Sequence, residues 1–194
     1  MRNRLMNTSS SSTVLVTVLL LLSGQAMADI NNCQITISPA EQNYGSLLKG
    51  RQTFTSTAQG NVTQLSERTS NLTVTCPQPE RMSLRFTGIS LSDGTFGFGT
   101  QGAVKVTLGD AVLDGKAITL ALTKRKGVIK NDAAANSHDL YASDEITVGD
   151  DSNVQGMNLN ATLTVTPWLQ ESAFRVTDAY QQEESISAEL LVVN

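Results

Sequence analysis

Seven stretches of this chain alternate apolar and polar residues with a period of two, and that pattern leaves little choice of fold. They are CQITI (Cys33–Ile37), NLTVTC (Asn71–Cys76), RMSLRF (Arg81–Phe86), AVKVTL (Ala103–Leu108), KAITLAL (Lys116–Leu122), LNATLTVTPWL (Leu159–Leu169) and SISAELLVV (Ser185–Val193). Successive side chains of a strand point to opposite faces of the sheet, so each run offers one face to a core and one to water. Leu72, Val74 and Cys76 share a face, as do Met82, Leu84 and Phe86, and Val104, Val106 and Leu108. The last run places Ile186, Ala188, Leu190 and Val192 together. There is no repeat, heptad or long amphipathic helix to compete with this reading. Seven or more short antiparallel strands predict an all-β domain, most simply a β-sandwich, with a closed barrel as the alternative that the period does not distinguish.

Turn chemistry sits between the runs. Asp93-Gly94 and Asp114-Gly115 are dipeptides suited to tight turns with positive φ at the central residues, and AVLDGKAITL reads as a hairpin. Pro77 and Pro79 are expected to end the strand that holds Cys76, because proline cannot donate to a ladder. The polar stretches Gln59–Arg68 and Lys124–Asp144 predict loops, the second with a helical turn near Ala133–Ala135.

The first residues point to export. Arg2 and Arg4 precede an apolar run, Thr13–Leu22, and then Ala26-Met27-Ala28. A basic start, a short apolar stretch and an A-x-A site predict a secretory signal peptide over residues 1–28. The run is shorter than the roughly 20 apolar residues a membrane span needs. Residues 29–194 then form a single domain. With Arg2 and Arg4 removed, 14 basic residues become 12 against 18 acidic ones, and the net charge moves from −4 to −6. That balance argues against a nucleic-acid partner. In an oxidising compartment the two cysteines, Cys33 and Cys76, are expected to pair, the alternative being two buried thiols.

The remaining motifs carry little chemistry. GFGTQG (Gly97–Gly102) matches a dinucleotide-binding pattern in letters, but AVKVTL follows as a strand where a helix is required. Its glycines are better suited to bending the chain between strands. The single histidine, His138, reads as an exposed loop residue, since its neighbours Ser137 and Asp139 cannot converge on it as a triad does. One His and a paired Cys do not supply a zinc site. Asp150 and Asp151 lack calcium-loop spacing, and Lys124–Lys130 reads as a solvated basic loop. N-x-T triplets begin at Asn61, Asn71 and Asn160 and matter only in a host that glycosylates. Trp168, Tyr141 and Tyr180 are candidates for a sugar site, with core packing the simpler account of Trp168. No catalytic constellation, cofactor site or metal site emerges, and the chain reads as a non-enzyme.

Several segments in order resemble a known family. Cys33 lies near the predicted mature start, followed by NYGSL (Asn43–Leu47), SNLTVTCPQPERMSL (Ser70–Leu84) and GTFGFGTQG (Gly94–Gly102). Together they resemble bacterial chaperone–usher fimbrial subunits, and more narrowly an uncharacterised pilin-like family of fimbrial operons. The resemblance implies an immunoglobulin-like β-sandwich that lacks its last strand. It implies assembly at the cell surface by donor-strand complementation, with a periplasmic chaperone, an outer-membrane usher and other fimbrial subunits as partners and a host receptor left open. Ile186, Ala188, Leu190 and Val192, or the opposite-face Leu191 and Val193, would border the groove, and the carboxylate of Asn194 would anchor to the chaperone. Two positions depart from the family: Val193 stands where an aromatic is usual, and Gln181 where Gly is expected. Cleavage after Ala28 leaves only Asp29–Asn32 ahead of Cys33. At roughly 3.3 Å per residue that is too short to donate a strand, which implies a tip or terminal position with a role in adhesion. The alternative function is a free-standing exported β-sandwich that binds carbohydrate or protein.

Overall fold

The computed structural model describes residues 33–58, 60–125, 128–129, 134–150, 153–174 and 185–192, with the backbone alone for residues 128, 129 and 192. The predicted signal peptide lies outside the described residues. In chain order the strands are β1 (Gln34–Ser38), β2 (Thr55–Thr57), β3 (Gly60–Gln64), β4 (Arg68–Glu80), β5 (Met82–Thr87), β6 (Phe96–Gly97) and β7 (Gly102–Leu113). They continue with β8 (Lys116–Ala117), β9 (Leu120–Arg125), β10 (Val128–Ile129), β11 (Ser137–Leu140), β12 (Glu145–Val148), β13 (Gly156–Gln170) and β14 (Ser187–Val192). Each of the seven alternating runs contains residues of a strand, and no α-helix occurs among the described residues.

The strands form two separate antiparallel sheets, so the fold is a sandwich and not a closed barrel. In the first sheet β1 pairs with β4, β4 with β13, and β13 with β7; β3 and β2 continue beside β13 beyond the end of β4. The second sheet runs β10-β9-β12-β5-β14. An immunoglobulin sandwich places strands A, B, E and D in one sheet and C, F and G in the other. Here β1, β4, β13 and β7 occupy A, B, E and D, while β5 and β14 occupy C and F, in the same chain order. No described residue takes the place of strand G, and β14 has β5 as its sole ladder partner. The sheets enclose an apolar core in which Leu72, Val74, Leu84, Phe86, Phe96, Leu108, Leu120, Ile146 and Leu159 are completely covered.

Some local expectations change. β4 does not stop at Pro77: it runs on to Glu80. Between the pairs Asn158↔Thr75 and Gly156↔Glu80, five steps on β4 face two on β13, so residues 76–79 bulge out of the ladder. Both prolines sit where no ladder N–H is needed, which removes the reason for them to end the strand. The run KAITLAL is not one strand. Lys116–Ala117 pairs with β7 in the first sheet, and the chain then crosses to the second, where Leu120 begins β9. The stretch read as the loop Lys124–Asp144 contains β10 and β11 and leads into β12, and Gln59–Arg68 contains β3. Ala135 bridges to Leu120, which replaces the helical turn expected there; Ala133 lies outside the described residues.

The hairpin expected at Asp114-Gly115 is present, with φ of 48° and 80° at its two central residues. Asp114 also accepts the backbone N–H groups of Met157 and Asn158, at 3.1 Å and 2.8 Å, and so pins the turn to β13. At Asp93-Gly94 only Gly94 has positive φ, 92°, and Asp93 accepts the Thr95 N–H at 2.9 Å.

The glycine pattern GFGTQG forms β6, a four-residue turn and the start of β7, with Phe98 N–H donating to the Gly102 carbonyl at 3.0 Å. A Cβ at Gly102 would stand 2.6 Å from the Phe98 carbonyl oxygen and 2.8 Å from that of Trp168. Backbone on both sides cannot yield as a flexible side chain does. Gly102→Ala is therefore expected to cost about 1–3 kcal/mol, as other overpacking substitutions do. An unchanged urea midpoint for that variant would show that the turn tolerates the methyl group.

Candidate functional site

Beside β14, where no described residue takes the place of strand G, the two sheets leave apolar side chains incompletely covered. On β1 and just ahead of it, Cys33, Ile35 and Ile37 point inward. On β14 and just ahead of it, Ile186, Ala188 and Leu190 do the same. All six are half-buried and pack against the core. Ile35 pairs with Val74, Ile37 with Leu72, Ala188 with Phe86 and Leu190 with Leu84, and each of those four partners has 0% exposure. β1 and β14 approach each other from opposite sheets, yet no ladder joins them. The result is a cleft with an apolar floor and, on each wall, a strand edge unpaired by any described residue. Such an edge is a template for a further strand.

The cleft is stapled on one side. Cys33 and Cys76 are disulfide-bonded, closing a sequence separation of 43 residues. The register Gln34↔Thr75 puts the two cysteines on the next rung, so the bond ties the start of the edge strand β1 to β4. On the other side an ionic row crosses the outer face of the second sheet. Lys124 on β9 contacts Glu145 on β12 at 2.9 Å. Arg85 on β5 bonds the same Glu145 at 2.6 Å and 3.1 Å, then reaches Glu189 on β14 at 3.4 Å. These four residues lie on one rung, which the registers Glu145↔Lys124, Glu145↔Arg85 and Glu189↔Arg85 define.

Burial pushes the Glu145 carboxyl up, but Lys124 and Arg85 outweigh it and hold its pKa below the ordinary value. Asp114 is shifted the same way by the N–H groups of Asn158 and Met157. A carboxyl depressed in the folded state stabilises fully above its unfolded pKa and loses that contribution as pH falls through the folded one. Stability should therefore be flat above the ordinary glutamate range, about 4.3, and decline below it. Glu145→Gln should shallow that decline in acid titrations followed by circular dichroism. A profile identical to that of the parent would exclude a contribution from this rung.

The terminal positions expected to line the groove divide three ways. Ile186, Ala188 and Leu190 are half-buried against the core, and Leu191, on the opposite face, is also half-buried. Val192 pairs with Met82 through its backbone. Val193 and Asn194 lie outside the described residues, as do Gln181 and Tyr180. Ile35 and Ile37 were missed as the opposing wall, although alternation in CQITI already set them on the side of Cys33.

Other candidates are resolved by their surroundings. His138 is not in a loop: it is a half-buried residue of β11, with Nε2 2.8 Å from the Leu120 carbonyl oxygen. Asp139 is engaged by Thr107 and Lys105. Trp168 is not in the core but 41% exposed on β13, because it falls on the outward phase between the buried Pro167 and Leu169. Tyr141 has Arg125 over its ring at 4.2 Å, which occupies the face a sugar would use. Asp151 lies outside the described residues, and among those described no group of three or more His, Cys, Asp or Glu is placed to hold a metal ion.

Comparison with known proteins gives distant likenesses. No family model matches the chain. It is 28% identical over 154 residues to the uncharacterized protein YhcE of Escherichia coli (strain K12), covering 76% of this chain and 82% of the relative. Among solved structures, the P pilus rod subunit PapA superimposes with a TM-score of 0.38 and 15% identity, over 83% of this chain and 99% of that one. That superposition is too loose to carry fold or function. The immunoglobulin-like order described above rests on strand pairing in this chain alone.

Proposed function

We propose that this chain is a subunit of a chaperone–usher fimbrium, an incomplete sandwich completed by a strand that another chain lays between β1 and β14. The observation that carries this reading is the pair of facing, half-covered apolar edges at the position of strand G. A strand entering there would hydrogen-bond to the backbone of β14 and set alternate side chains over Ile35, Ile37, Ile186, Ala188 and Leu190. This is recognition by strand addition: backbone bonds hold the partner and alternate pockets choose it. The function is structural and not enzymatic. The donors are a periplasmic chaperone during export and a neighbouring subunit in the fibre, brought together at the outer-membrane usher. Asn194 would face the chaperone.

A tip or terminal position, with a role in adhesion, is part of this proposal and rests on the four residues Asp29–Asn32 that follow the expected cleavage site. Immunogold labelling confined to fibre ends is the expected result; labelling along the shaft would place the subunit elsewhere. The test of the function itself is periplasmic expression with and without the chaperone of a fimbrial operon. Alone, the chain should aggregate or be degraded, since its exposed edges invite strand pairing. With the chaperone it should be recovered as a soluble complex. A stable monomer obtained alone would instead favour a free-standing exported binding module.

A further inference from the structure

The ionic row on the second sheet ends at the edge where a strand would enter, and its last member is the least satisfied. From β9 to β14 the charges alternate: Lys124, Glu145, Arg85, Glu189. Glu145 is held from both sides at 2.6 Å and 2.9 Å, and its side chain is only 11% exposed. Arg85 commits two hydrogen bonds to Glu145 and gives Glu189 a single contact of 3.4 Å. The Glu189 side chain is 60% exposed and stands on the strand that has no described neighbour on its far side. Across the cleft, the outward residues of β1 are Gln34, Thr36 and Ser38, which carry no charge to answer it.

Resting on the strand-acceptor reading above, we propose that Glu189 selects the donor strand. The strand that completes this sandwich carries a Lys or Arg opposite Glu189, flanked by apolar residues that turn inward over Ala188 and Leu190. Directly opposite side chains in adjacent strands lie close enough for opposite charges to attract and like charges to repel. A base at that position extends the alternation by one member. An acid there would sit beside Glu189 with only the distant half of Arg85 to offset it. Because side chains alternate, the residues on either side of the base face the cleft floor. Ala188 is the smallest of the inward residues Ile186, Ala188 and Leu190, so a large apolar side chain best fills the space over it. The partner is therefore an extended segment with an apolar–basic–apolar core.

The full exported chain, refolded from denaturant with labelled peptides of alternating Val and Thr, tests this. One central Thr is replaced by Lys, Gln or Glu, and affinity is read by fluorescence anisotropy. The Lys peptide should bind about 3- to 10-fold more tightly than the Glu peptide at about 0.01 M salt, with Gln between them and the spread collapsing near 1 M. In Glu189→Lys the order should reverse, and in Glu189→Gln it should vanish. Equal binding of the Lys and Glu peptides to the parent chain would overturn the inference while leaving the groove intact. A Lys preference that persists in Glu189→Lys would also overturn it, by placing the selecting charge elsewhere. Binding of none of the peptides would remove the groove reading and this inference with it.

Discussion

A Cys33→Ser/Cys76→Ser variant should be less stable than the oxidised parent by roughly 4 kcal/mol. That is the chain-entropy estimate for a link closing a separation of 43 residues. The comparison is equilibrium urea unfolding, with midpoint and slope both recorded, since a change in slope would report a change in the unfolded ensemble. The loss should not be uniform. β1 is a five-residue strand whose one ladder partner among the described residues is β4. Without the bond to Cys76 nothing covalent holds the first rung, so amide exchange should accelerate in β1 before it does in β4 or β13. On the proposed strand-acceptor function, strand capture should weaken with it. Unchanged exchange in β1 would mean that packing of Ile35 and Ile37 alone keeps the wall in place.

Arg125→Met should cost about 3 kcal/mol, the low end for breaking a buried ion pair, because Arg125 itself keeps 30% side-chain exposure. Asp144 is fully covered, with Arg125 Nη2 at 3.0 Å and Nε at 3.2 Å and the Tyr141 N–H at 3.0 Å. Deleting the cation leaves that carboxylate buried with one backbone donor. The pair also shapes the turn leading into β12: Asp144 N–H donates to the Tyr141 carbonyl, and Ser143 N–H donates to the Phe86 carbonyl at 2.7 Å. Arg125→Met/Asp144→Leu should be less destabilised than the sum of its single variants, since the double change leaves no charge behind. Thermal melts of the three variants read both statements. Additive losses would show that the two residues act independently.

The facing of side chains was legible in the sequence to the extent that alternation was unbroken. Leu72, Val74, Cys76, Met82, Leu84 and Phe86 are all buried as their spacing requires. Alternation failed where a strand changes phase. In β7, Val104, Val106 and Leu108 face the core, but so do Ala111 and Leu113. The switch is a bulge at Asp110, whose φ is 50°; three steps on β7 there match two on β13. One extra residue re-aims everything after it, and no composition rule announces it. β10 and β11 fell inside the stretch read as loop, and β12, just after it, was not read as a strand. β12, EITV, is buried on both faces, so it shows no alternation. Its Glu145 is buried with Lys124 and Arg85 on either side.

The sequence also named part of the candidate site. The last alternating run pointed to Ile186, Ala188 and Leu190, and the compartment pointed to the Cys33–Cys76 bond. The sequence by itself determined the strands and their apolar faces, because which side of a strand a residue occupies is a local property repeating every two residues. Only the tertiary structure decided which sheet each strand joins, that KAITLAL splits between two sheets, and that β1 and β14 approach each other with no described strand between them. Those outcomes depend on pairing between segments about 150 residues apart in the chain, as Ile35 and Leu190 are. Long-range register is set by the packing of the whole core, and no local pattern carries it.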